Sequence, residues 1–193
     1  MARRRQPAKV ANPPKAARLE DLLPNLKVAP LVHGARGSTV RLDPEQPTRE
    51  EIPAWFGAGA GGHGTYPEWL TYWALTKLGY KIHGDPRPGL AGEDVIYQDP
   101  VLGYYAGEVG SSLIDFVVYK EFPPIALPVQ GEFWHPLFGP RYEQDMAIFN
   151  RLKHELGWTV IPLDEDDLLV NALYVVRTAV IDRIDLSRYA GRV

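Results

Sequence analysis

Cysteine is missing altogether from the 193 residues. Its absence rules out disulfides, a thiolate metal centre and a cysteine nucleophile, and it fits a reducing compartment. Long apolar runs are missing too. None approaches the ~18 residues that a membrane-spanning helix needs, so no membrane association is expected and a cytoplasmic location is. The first residues carry charge without an apolar stretch, unlike a secretory signal, and too much proline for an amphipathic transit helix. Acid is missing from the first 18 positions, which hold Arg3, Arg4, Arg5, Lys9, Lys15 and Arg18. The other 15 basic residues face all 24 acids, so a basic arm precedes a body of net charge −9. Such an arm suits an anionic partner, nucleic acid first, or serves only as a solubilising tail.

What is present is an ordinary globular composition, 45% hydrophobic and 23% charged, on a chain long enough for one domain with a real core. Organisation changes along it. Residues 1–64 have recurrent proline and little hydrophobic period, and only "LEDLLPNL" and "TREEIPAWF" suit short helical turns. The stretch "GAGAGGHG" places Gly57, Gly59 and Gly62 in the dinucleotide-binding pattern. No strand precedes them, so it reads as a hinge. From Thr65 the pattern is regular to about residue 186, with 187–193 left as a tail. "TYPEWLTYWALTKLGY" predicts an amphipathic helix capped by Thr65 and closed by Gly79. "EDVIYQD", "YYAGEVG", "LIDFVVYKEF" and "IALPVQGEF" predict strands. A helix follows, with Met146, Phe149, Leu152 and Leu156 on one face, then the strand "WTVIPL" and a last helix opened by acids. This order predicts an α/β fold, a three-layer sandwich with a central mixed sheet flanked by helices. The strand at 125–129 and the strand at 158–163 are joined through a helix and should run parallel.

The chemistry concentrates in two places. Asp115 interrupts the apolar strand "LIDFVVY", where a lone carboxylate is costly unless paired, hydrogen-bonded or bound to metal. The stretch "LPVQGEFWH" ends an apolar strand in Gln130, Glu132 and His135, with Phe133 and Trp134 between. If the two strands are neighbours, Asp115 can approach Gln130 or Glu132. Oxygen donors converging there would take Mg²⁺ or Mn²⁺, and His135 could carry a proton. Equally, Asp115 could cap a turn, and Glu132 and His135 could be solvated. Glu68 has its own plain role, since "TYPE" forms a Thr-x-x-Glu capping box.

The segments "IDFVVY", "VQGEFWH" and "RYEQDMAIFNRLKHELGWTVIPL" resemble the core of the very short patch repair endonucleases and related small PD-(D/E)xK-type nucleases. The likeness spans roughly Gly64 to Ile184. It implies a restriction-endonuclease-like fold. It also implies a metal held by Asp115 and the Val129 carbonyl, with Glu132 a further candidate, and a supporting His135. Glu68 falls where the superfamily often has a helix glutamate. Gln130 and Glu132 stand where the wider superfamily has an acid and a lysine.

Two functions are therefore expected. One is a metal-dependent DNA endonuclease or nickase, with Arg3, Arg4, Arg5 and Lys9 adding phosphate contacts. The other is a nuclease-fold structural protein of a large assembly, such as a virion or DNA-packaging complex, whose arm wraps a protein partner.

Overall fold

The computed structural model describes residues 43–56, 64–100, 113–130 and 140–187. The expected strand "YYAGEVG", the hinge glycines and most of the basic arm lie outside them. Helix α1 spans Tyr66–Lys77. Strands β1 (Val95–Asp99), β2 (Ile114–Val118), β3 (Ile125–Leu127) and β4 (Val129–Gln130) follow. Helix α2 (Pro140–Asn150) continues as a π turn over Arg151–Glu155. Strands β5 (Thr159–Val160) and β6 (Leu163–Asp164) lead into α3 (Glu165–Arg177).

The described sheet is mixed, in the order β1-β2-β3-β5. β1, β2 and β3 form an antiparallel meander, and β3 pairs with β5 in parallel. The parallel connection expected from the sequence is thus present. Each of the two long strands expected there is split in two. Pro128 separates β3 from β4 and Pro162 separates β5 from β6, because proline has no N–H for a ladder. The register is the same on both sides of the break, with β4 parallel to β6.

Helices cover both faces. Phe116, Val118, Ile125 and Leu127 pack with α1 and α3. Ile114, Val117 and Ala126 pack with Ile148, Phe149 and Leu152 on the α2 side. Burying a side chain of this size fully contributes roughly 1.5–3 kcal/mol. Helix α1 is not the amphipathic helix expected. Every residue from Pro67 to Leu75 is buried, because α3 and the segment 43–56 cover the side away from the sheet. In α2 the apolar face includes Ile148 and ends at Leu152, while Leu156 is 42% exposed.

The folded body also reaches back beyond the expected start at Thr65. Phe56 is in the main core. Buried Gln46 donates through Nε2 to the carbonyls of Leu168 and Leu169 and accepts the Ala172 N–H. Those backbone groups are exposed by a break in α3, where Asn171 leaves the helical region (φ −160°, ψ 88°) and its Oδ1 accepts the Tyr174 N–H. Leaving such buried groups unpaired would cost about 1–3 kcal/mol each. Among the described residues no helix is long and apolar enough to cross a membrane.

A candidate metal site at Glu68 and Asp115

Glu68 is brought to the site by the start of α1. Thr65 is the N-cap, its hydroxyl accepting the Glu68 N–H at 3.4 Å. The Glu68 carboxylate returns the bond, with Oε2 accepting the Thr65 N–H at 2.6 Å. This is the capping box expected from "TYPE". It also pins the carboxylate against the sheet, with 9% of the residue exposed. The same Oε2 faces the Tyr97 hydroxyl on β1 at 3.4 Å.

Asp115 comes from the middle of β2. Its Oδ2 accepts the Val129 N–H at 2.7 Å. The Pro128 carbonyl accepts the Leu163 N–H at 2.8 Å, so Val129 directs both its N–H and its C=O away from β6. The Val129 carbonyl therefore leaves the chain on the same side as its N–H, which is the side of Asp115.

The two acids meet. Burial pushes the Asp115 carboxyl well above the usual carboxylate range. Repulsion from Glu68, close enough to share a hydrogen bond, pushes it further, and the Val129 N–H offsets part of this. No Lys, Arg or His among the described residues forms an ion pair with either acid. The Tyr97 hydroxyl is likewise pushed far up, by burial first and then by Glu68 and Asp115.

An aromatic wall adjoins the pair. The Tyr97 ring stacks on Phe56 at 5.0 Å and tilts against Phe116 at 5.0 Å. Gly64 lies against that wall, where a Cβ would collide with the Phe56 ring and come within 3.0 Å of the Tyr97 hydroxyl. The close approach explains glycine immediately before the cap.

Of the residues singled out from the sequence, Glu68, Asp115 and Val129 converge. Gln130 is buried, one residue on, and pairs with Asp164 across β4 and β6. Glu132, His135, Arg3, Arg4, Arg5 and Lys9 lie outside the described residues. Tyr97 and Gln98 were not anticipated. The strand expected at "YYAGEVG" stood between theirs and that of Asp115.

The donor set is two carboxylates and a carbonyl, all hard oxygens, with no three acids or histidines grouped among the described residues. That fits Mg²⁺ or Mn²⁺, which bind through one or two carboxylates and keep several waters. Compared with family models, with curated proteins and with solved structures, the chain gives no match.

Proposed function

We propose that this protein is a divalent-metal-dependent endonuclease or nickase that hydrolyses DNA phosphodiesters. One observation carries the reading: two acids from different elements, each anchored by a backbone N–H, face one another without a cation from the described chain. Holding two like charges together is unfavourable unless a cation joins them or one acid keeps its proton. The resemblance of "IDFVVY" and "VQGEFWH" to the patch-repair nucleases supports the same assignment.

In this reading Asp115, Glu68 and the Val129 carbonyl would hold Mg²⁺ or Mn²⁺. Such a cation supplies Lewis-acid stabilisation of phosphoryl charge and makes water acidic enough to attack near neutral pH. The Thr65 and Val129 N–H groups keep the two carboxylates from turning away. His135 would carry a proton to or from the scissile phosphate, and Glu132 would add an acid to the site. Arg3, Arg4, Arg5 and Lys9 would contribute phosphate contacts that weaken with salt.

A second reading has its own support. The capping box explains Glu68 without any metal, and Gln130 stands where the superfamily has an acid. The protein would then be a nuclease-fold component of an assembly. Cleavage of supercoiled plasmid by the purified full chain, with Mg²⁺ or Mn²⁺, separates the two. Metal-dependent nicking that is lost in Asp115→Ala supports the enzyme. Folded protein that cleaves neither single- nor double-stranded DNA across salt and metal concentrations supports the scaffold.

A further inference from the structure

The ladder of β1 and β2 pairs Tyr97 with Phe116 and Asp99 with Ile114. Gln98 therefore stands across from Asp115, at the position where the pairing lapses. Its backbone is left-handed, with φ 53°, a region that a non-glycine residue enters only at a cost. No chain reversal calls for it, since β1 continues to Asp99. Successive side chains of a regular strand leave on opposite faces. The Gln98 amide nevertheless reaches its neighbour's hydroxyl, Nε2 lying 3.1 Å from the Tyr97 oxygen. The left-handed turn of the backbone is what brings it there. The Tyr97 hydroxyl in turn faces Glu68 Oε2. At the other end of the same amide, Oε1 is buried without a hydrogen-bond partner among the described residues, a second cost at one residue.

We infer that Gln98 is a positioning residue of the Glu68–Asp115 site. Its Nε2 holds the Tyr97 hydroxyl on Glu68, and its Oε1 is the acceptor for a water carried in by a hydrated divalent cation. The inference rests on the metal site proposed above and adds a residue to it. A cation held by two carboxylates keeps several of its waters, all of them donors. A neutral amide accepts from such a water without adding a third negative charge to a repelling pair. Backbone strain and an unsatisfied buried acceptor are then the metal-free cost of a site prepared for its ligand.

The test is calorimetric titration of Mn²⁺ into the full-length wild-type chain and into Gln98→Gly, Gln98→Glu and Asp115→Asn, with metal-free melting curves of each. Glycine enters the left-handed region without strain. Gln98→Gly should therefore melt no lower than wild type, yet bind Mn²⁺ about tenfold more weakly, as expected on losing a group that supports a metal's ligands. Gln98→Glu should melt lower without metal and bind Mn²⁺ more tightly. Mn²⁺ binding that needs Asp115 but is unchanged in both Gln98 variants would overturn the role of Gln98 and leave the metal site standing. Wild-type protein that binds no Mn²⁺ would overturn both.

Discussion

Asp85 and Asp115 are two acids taken into one folded body, and their company is opposite. The Asp85 side chain is fully enclosed. Arg87 grips it, with Nη2 at 2.6 Å and Nε at 3.0 Å. The guanidinium lies over the rings of Trp55, Trp69 and Tyr72. Burial alone would raise the Asp85 carboxyl, but the Arg87 side-chain and backbone bonds, with that of Tyr72, outweigh it and hold it below the usual range. Asp115 is half-buried beside another carboxylate and held well above that range. Glu68 and Tyr72 lie one turn apart on α1, so a single helix serves both places. An acid enclosed with its counter-charge is architecture. An acid held against a second acid takes up a proton or a cation.

The contrast breaks first at Arg87. Arg87→Leu strands a buried carboxylate and should lower unfolding free energy by about 3 kcal/mol, the low end for a broken buried pair because Arg87 is partly exposed. Urea denaturation reads the loss. The corresponding change on the other side should act in reverse. Asp115→Asn keeps an acceptor for the Val129 N–H and removes the repulsion, so the metal-free protein should gain about 1 kcal/mol, as relief of a strained site commonly gives. It should also abolish metal-dependent cleavage.

The two sites should separate further with pH. A folded Asp115 that binds its proton more tightly than the unfolded chain stabilises below the ordinary aspartate value of 3.8. That contribution is lost as pH rises through the raised folded value. The advantage of Asp115→Asn over wild type should therefore be absent in acid and grow toward neutrality. Asp85, with its lowered value, contributes above 3.8, and its contribution is lost as pH falls through the folded value. The deficit of Arg87→Leu should therefore shrink on acidification. The smallest effect is expected at Glu68→Gln. Glutamine can still complete the capping box, and the loss of a favourable charge at the helix N-terminus offsets the relief of repulsion with Asp115, so stability should change by only about 0.5 kcal/mol. Cleavage should nonetheless be lost in the plasmid assay.

Patterns of short range were legible in the sequence. The capping box at Thr65, the parallel return to β5 and the approach of Asp115 to the strand at Val129 all follow from spacing and alternation. Cooperation between distant polar groups was not legible. Gln46 looks like a loop residue until the break at Asn171 supplies the groups it satisfies. The all-round burial of α1 depends on what covers it, which no periodicity within the helix reports. Nothing in "VIYQD" signals a left-handed Gln98, which stands across the sheet from Asp115.

The proposed metal site requires Asp115 to be a carboxyl that a cation is needed to ionise. A carbon-13 NMR titration of the aspartate carboxyls, with the Asp115 signal identified by its loss in Asp115→Asn, measures this directly. Without metal, Asp115 should titrate well above the ordinary aspartate range, and saturating Mg²⁺ should bring its titration down while leaving Asp85 unmoved. An Asp115 signal that titrates in the ordinary range and ignores Mg²⁺ would contradict the account.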